Sequence, residues 1–176
     1  MPKIILSIVM MFAVSSAFAK PPQAGGKTEL SLHGGLDFQG PSGDNIDIQV
    51  AYGWFIDDQT LIGGEYQWSL IEDIAPGEKD YRSQQASLVA EWLFPGDSAW
   101  VPYVGGEIGF RNSRFEDLDE SGLVYGGRLG ARYYLTESVA IDGSVSLLLA
   151  DKKVFIVDFE AEDQYLYPRI GIKALF

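Results

Sequence analysis

Tyr165-Leu166-Tyr167-Pro168-Arg169-Ile170-Gly171-Ile172-Lys173-Ala174-Leu175-Phe176 closes the sequence. Read two residues at a time, it splits into two faces. Leu166, Ile170, Ile172 and Phe176 fall on one, with Ala174 in phase. Tyr165, Tyr167, Arg169 and Lys173 fall on the other. A period of two is the period of a strand, because successive side chains point to opposite sides of the backbone.

Seven more segments upstream follow the same pattern. In 28–38, Leu30, Leu32, Leu36 and Phe38 oppose Glu29, Ser31, His33 and Asp37. In 45–56, Ile46, Ile48, Val50, Tyr52, Trp54 and Ile56 oppose Asn45, Asp47, Gln49 and Ala51. In 61–70, Ile62, Tyr66, Trp68 and Leu70 oppose Glu65, Gln67 and Ser69; in 83–94, Ala86, Leu88, Ala90, Trp92 and Phe94 oppose Gln85, Ser87 and Glu91. The second half repeats this over 101–111, 123–135 and 139–150, where Glu107, Arg111, Arg128, Arg132 and Asp142 are the charged members of the polar face. Segments of about ten to twelve residues match what a tilted strand needs to cross a bilayer. The connections alternate as well. Those at 57–60, 95–99 and 136–138 are short, and those at 40–44, 71–82, 112–122 and 151–164 are mostly longer and acidic.

The 176 residues suit one domain, and their 47% hydrophobic content is ordinary for a folded chain. With no cysteine there is no disulfide framework, thiolate metal site or thiol nucleophile. A net charge of −12 argues against a nucleic-acid partner, which needs a basic face. The beginning of the chain has the layout of an export signal. Lys3 precedes an apolar run from Ile4 to Val14, and Ala17-Phe18-Ala19 forms a small-x-small site. Residues 1–19 are therefore expected to be a cleaved signal peptide, and 20–176 the mature domain. Its removal takes Lys3 and no acid, which moves the charge from −12 to −13.

Alternation does not by itself say which face is outside. A soluble barrel hides its apolar face, whereas a membrane barrel turns it to lipid. The polar face of these segments carries one lysine, Lys173, and otherwise arginines, carboxylates and small residues. The planar fork of arginine suits enclosed networks with several partners. Aromatics also collect near segment ends. Tyr52, Trp54, Trp92, Phe94 and Tyr133 lie toward the short turns, and Tyr66, Trp68, Phe110 and Tyr125 toward the longer loops. Two such belts on an apolar face are what the two membrane interfaces select.

A terminal phenylalanine closing an alternating strand resembles the signal that outer-membrane barrels present to their assembly machinery. The segment Pro102-Tyr103-Val104-Gly105-Gly106-Glu107-Ile108-Gly109-Phe110 is similar to a recurring strand of the OmpA-like and OmpX-like families. The resemblance spans the mature chain and speaks for the superfamily. It implies an all-β, eight-stranded, antiparallel up-and-down transmembrane β-barrel in the bacterial outer membrane. It also implies lipid, lipopolysaccharide and the assembly machinery as partners, with a monomer expected and no cofactor.

The interior expected for this barrel holds an ion-pair network of Glu65, Glu107, Arg111, Arg128, Arg132, Arg169 and Lys173. Unpaired charges there would be costly. The reading is a non-catalytic barrel with a packed polar interior, acting in envelope integrity or through its loops. One alternative is a narrow ion path through rearranging pairs. Another is a lipid A-modifying enzyme, since some barrels of this kind use a histidine with a serine. The single histidine, His33, is followed by Gly34 and Gly35, so a His-x-Ser arrangement is absent, and Ser31 would have to serve. The run from Asp117 to Gly122 resembles the first half of a calcium loop, but Arg128 stands where the closing glutamate belongs. The acidic stretches near 72–80 and 158–163 are read either as divalent-cation bridges to lipopolysaccharide phosphates or as solvated ends.

Overall fold

The computed structural model describes residues 22–35, 44–72, 81–115, 118–157 and 160–176. Among the described residues ten strands form in chain order: β1 (Thr28–Gly35), β2 (Asp44–Phe55), β3 (Thr60–Glu72), β4 (Tyr81–Leu93), β5 (Trp100–Phe115), β6 (Leu118–Tyr134), β7 (Val139–Ala150), β8 (Phe155–Val157), β9 (Glu160–Glu162) and β10 (Gln164–Leu175). Eight of them close into one antiparallel barrel ordered β1-β2-β3-β4-β5-β6-β7-β10, with β10 returning to β1. The closing ladder sets Leu32 opposite Ile172 and His33 opposite Gly171, and Phe176 N–H donates to the Thr28 carbonyl at 2.9 Å. Closure leaves no strand edge unpaired, which a sheet in lipid requires.

The pleat sorts the side chains as their alternation dictates. β4 reads buried-exposed without interruption from Tyr81 to Leu93. Leu88, Phe110, Leu129 and Ile172 are exposed on the outer wall, while Glu65, Glu91, Arg128 and Lys173 are buried within. Apolar outside and charged inside is the inversion expected of a lipid-facing wall. Trp54, Trp92, Phe94, Tyr52, Tyr66, Phe110 and Tyr125 are exposed on that wall, and Phe176 is 69% exposed. Trp68 also points outward and is half-buried. Tyr133 is buried, because Trp100 covers it on the same face with ring centroids 4.7 Å apart. Trp100 therefore belongs with the belt residues, although the sequence grouping passed over it.

Two connections differ from expectation. Residues 112–122, read as a loop, mostly continue the ladder: Asn112 faces Ser121 and Arg114 faces Asp119 across β5 and β6. Cross-strand pairs hold this extension, with Asn112 Nδ2 donating to Ser121 Oγ at 2.8 Å and Arg114 Nε 3.2 Å from Asp119. The calcium-like run thus lies largely in a strand; Asp117 itself falls outside the described residues. The 151–164 connection contains the β8–β9 hairpin, and its start folds into the barrel mouth. The short turns are tight, as expected. Asp57 Oδ1 accepts from Gln59 N at 2.8 Å and Thr60 N at 2.7 Å. The expected signal peptide, Leu36, Asp37 and Phe38 lie outside the described residues.

Candidate functional site

Among the described residues, ionisable side chains converge in the lumen, which is built in layers. At the short-turn end Phe55, Leu61, Leu93, Val101, Tyr103, Tyr134, Ala140 and Leu175 pack into an apolar floor, with Ala24 of the N-terminal segment. Gly26, in a left-handed turn at φ 79°, lets that segment fold under the barrel and donate to the Phe55 carbonyl at 2.9 Å.

Directly above lies the first charged layer. Arg132, with 0% of its surface exposed, reaches Glu29 at 2.5 Å and also binds Glu91. Its guanidinium rests 5.6 Å from the Phe55 ring centroid and 5.3 Å from that of Tyr103. Lys173 Nζ lies 3.2 Å from Glu29, 3.3 Å from Glu91 and 3.7 Å from Asp142. Asp142 also meets His33 Nε2 and accepts from the Tyr103 hydroxyl, both at 3.1 Å. Two glycines make this crowding feasible. A Cβ on Gly130 would stand 2.4 Å from the Tyr103 ring, and one on Gly171 would stand 2.3 Å from that of His33.

The second layer centres on Arg128. It binds Glu65 at 2.8 Å, Glu91 at 3.1 Å and Glu107, so Glu91 bridges the two layers. Arg169 approaches Glu65 at 3.6 Å and Glu107 at 3.9 Å, and donates to Gln49 Oε1 at 2.7 Å and Ser146 Oγ at 2.5 Å. A buried cation with several carboxylates keeps its charge compensated, which a low-dielectric interior demands.

Arg111 stands apart. The sequence grouped it with the ion pairs, but among the described residues its guanidinium bonds neutral groups: Tyr81 at 2.9 Å, Ser83 at 2.7 Å, Gln85 at 3.2 Å and Ser113 at 3.3 Å. The Phe155 ring lies 5.1 Å over it. The inward side chains of β4 and β5 explain this, since Tyr81, Ser83, Gln85 and Ser113 are what those strands offer at that height. Asp47, on the far wall, is taken by the hydroxyls of Tyr167 and Ser69 and the amide of Gln67. Above this, Val124, Leu148, Val154, Phe155, Tyr165 and Tyr167 form an apolar cap, and the Ser113 hydroxyl ties the Val154 carbonyl at 2.6 Å.

Glu65, Glu107, Arg128, Arg132, Arg169 and Lys173 thus meet in one network, together with Glu29, Glu91, Asp142 and His33. Those four lay on the predicted inward face, but spacing alone could not pair residues on different strands. His33 and Ser31 do not form a dyad: Ser31 donates to Glu29 Oε1 at 3.3 Å, and His33 is engaged by Asp142. Among the described residues no cluster of three or more His, Asp or Glu side chains could hold a metal.

The fold has counterparts among solved structures. Neisserial surface protein A is 16% identical with a TM-score of 0.60, covering 85% of this chain and 95% of that one. The N-terminal β-barrel domain of Pseudomonas aeruginosa OprF is 16% identical with a TM-score of 0.58, covering 88% of this chain and all of its own. De novo designed transmembrane β-barrels align at 12% identity and a TM-score of 0.55, over 88% of this chain and 99% of theirs. No curated protein matches in sequence. At these identities the likeness establishes the fold, and a fold does not carry one function with it. Residues 4–173 match the outer membrane protein beta-barrel domain, and the chain belongs to that family of outer-membrane barrels.

Proposed function

We propose that this is a closed, non-catalytic barrel of the bacterial cell envelope, exported by a cleaved signal peptide. On this reading it acts through its stability in the membrane and through its long loops, which face the cell surface while both termini face the periplasm. It is a monomer whose partners are lipid and lipopolysaccharide, with the assembly machinery engaging Phe176. The observation that carries the reading is the filled lumen. Apolar residues close both ends, and the charges between them are met by opposite charges or, at Arg111 and Asp47, by neutral hydrogen-bonding side chains. A conducting path or a substrate pocket would need polar groups directed at open space, and the inward charges here are directed at partners. Neisserial surface protein A, by its name a surface protein, shares the fold.

The test is a deletion strain. Loss of the protein is expected to sensitise cells to detergents. Expression of the wild-type chain, and equally of His33→Ala, is expected to restore resistance with the mass of lipid A unchanged. A lipid A mass that shifts with the wild-type chain and not with His33→Ala would replace this reading with a lipid-modifying enzyme.

A further inference from the structure

The β5–β6 hairpin rises past its neighbour. The β6–β7 ladder ends with Val124 opposite Ala150, whereas the β5–β6 ladder runs on from Leu123 to Leu118. β7 stops because the chain beyond it is drawn inward, where Val154 and Phe155 cap the lumen. To get there it crosses Gly122. A Cβ on Gly122 would stand 2.7 Å from Asp151 Oδ1 and 3.1 Å from Val154, so a larger residue would block the crossing. Among the described residues, capping the lumen thus leaves one side of upper β6 without a strand beside it.

The bonds at the parting point show which way β6 aims its backbone. Asp151 N–H donates to the Leu123 carbonyl at 3.1 Å, and Leu123 N–H donates to the Asp151 carboxylate at 2.8 Å. Leu123 therefore turns both of its backbone groups toward β7. In an antiparallel ladder that direction alternates from residue to residue. Ser121 and Asp119 turn their N–H and C=O groups the same way as Leu123, and Gly122 and Glu120 turn theirs toward β5. Both Ser121 and Asp119 are exposed, and the β8–β9 hairpin forms a separate sheet. Among the described residues, two donors and two acceptors therefore line an open edge above the closed wall. β5 keeps that edge extended through the Asn112–Ser121 and Arg114–Asp119 pairs.

We propose that the β6 edge at Asp119–Ser121 is a docking site for an extended segment of another polypeptide, which joins the sheet as an added strand. A row of backbone donors and acceptors is complementary to another backbone. The acids beside it are already paired, Asp119 with Arg114 at 3.2 Å and Glu120 with Lys152 at 3.3 Å. They leave no charge for a partner to answer, so the matching segment is uncharged and rich in strand-forming residues such as threonine and valine. An edge about 10 Å long is too short to hold a second barrel, since a stable dimer buries more than about 1,000 Å². Placing this edge outside the cell rests on the orientation proposed above, with the long loops at the surface.

The experiment uses the full barrel, labelled with nitrogen-15, in phosphatidylcholine nanodiscs that are open to solution on both sides. The probe is an acetylated, amidated pentapeptide of alternating threonine and valine, and amide shifts report the apparent Kd. The Asp119 and Ser121 amides are expected to shift most. Ser121→Pro removes a donor that faces the edge and leaves the β5 ladder whole, so it is expected to bind at least about tenfold more weakly. Ser121→Ala loses the hydroxyl but keeps the N–H, and is expected to bind as the wild type does. Folding of each variant is checked by its heat-dependent gel shift. A peptide N-methylated at alternate residues is expected not to bind the wild type, and it carries the test if Ser121→Pro does not fold. Wild-type affinity in folded Ser121→Pro, equal weakening by Ser121→Ala, binding of the N-methylated peptide or unmoved Asp119 and Ser121 amides would each overturn the site. Self-association of the wild type that Ser121→Pro abolishes would overturn the assigned occupant, because a second copy would then hold the edge. None of these results depends on which way the barrel faces in the cell or on the closed lumen.

Discussion

The lower and upper halves of the lumen solve the same problem differently. Around Arg132 and Lys173 every cation has more than one carboxylate, and Glu91 alone contacts Arg128, Arg132 and Lys173. Around Arg111 the partners are hydroxyls, an amide and an aromatic face. The lower half is a cross-linked lattice in which each charge is held by several strands. The upper half is a local arrangement, supplied mainly by β4, β5 and the segment that folds into the mouth. The comparison teaches that the lower half fixes the shape of the barrel, while the upper half can lose a charge without stranding another.

The largest consequence concerns Arg132. Arg132→Met leaves Glu29 and Glu91 buried with part of their compensation gone, and is expected to destabilise the barrel by about 3–5 kcal/mol in urea unfolding followed by tryptophan fluorescence. A loss below about 1 kcal/mol would break the distinction between the halves. Gly130→Ala tests the packing beside that layer. Its new methyl meets the Tyr103 ring, and the expected cost is about 1–3 kcal/mol. Arg111→Met comes next. It removes hydrogen bonds from groups that can bond one another, so about 1–2 kcal/mol is expected. If it matched Arg132→Met, the upper half would have to hold a lattice of its own.

The smallest effect belongs to the turn at Asp57, outside the lumen. The backbone N–H groups of Gln59 and Thr60 hold its carboxyl below the usual range. A depressed pKa stabilises the fold above the unfolded value, and that contribution is lost as pH falls through the folded one. Asp57→Ala is therefore expected to lower the urea midpoint slightly at neutral pH, with the difference from wild type vanishing under strongly acidic conditions.

The wall of the barrel was legible in the sequence because a period of two needs only neighbours along the chain. Leu166, Ile170 and Ile172 declare an outward face whichever strand lies beside them, and Arg128, Arg132 and Lys173 declare an inward one. Partnership was less legible, since pairing Arg132 with Glu29 requires the register of strands far apart in sequence. Arg111 shows the limit well: its face was right, but its height in the barrel decided that hydroxyls would surround it. The mouth was hidden for another reason. Val154 and Phe155 sit in a connection with charged neighbours, and nothing local indicates that two apolar residues turn inward to cap a lumen. The extension of β5 and β6 through residues 112–122 was masked by acids and small polar residues that read as a loop, although they pair across the hairpin.

A closed lumen is the central property of this barrel. Single-channel recording of the purified barrel in planar bilayers tests this directly. A floor of Phe55 and Leu175, a paired lattice around Arg128 and Arg132 and a cap of Phe155 predict no steady conductance, and none when Phe155→Ala removes part of the cap. Stable channels of open-porin size from the wild-type protein would contradict it.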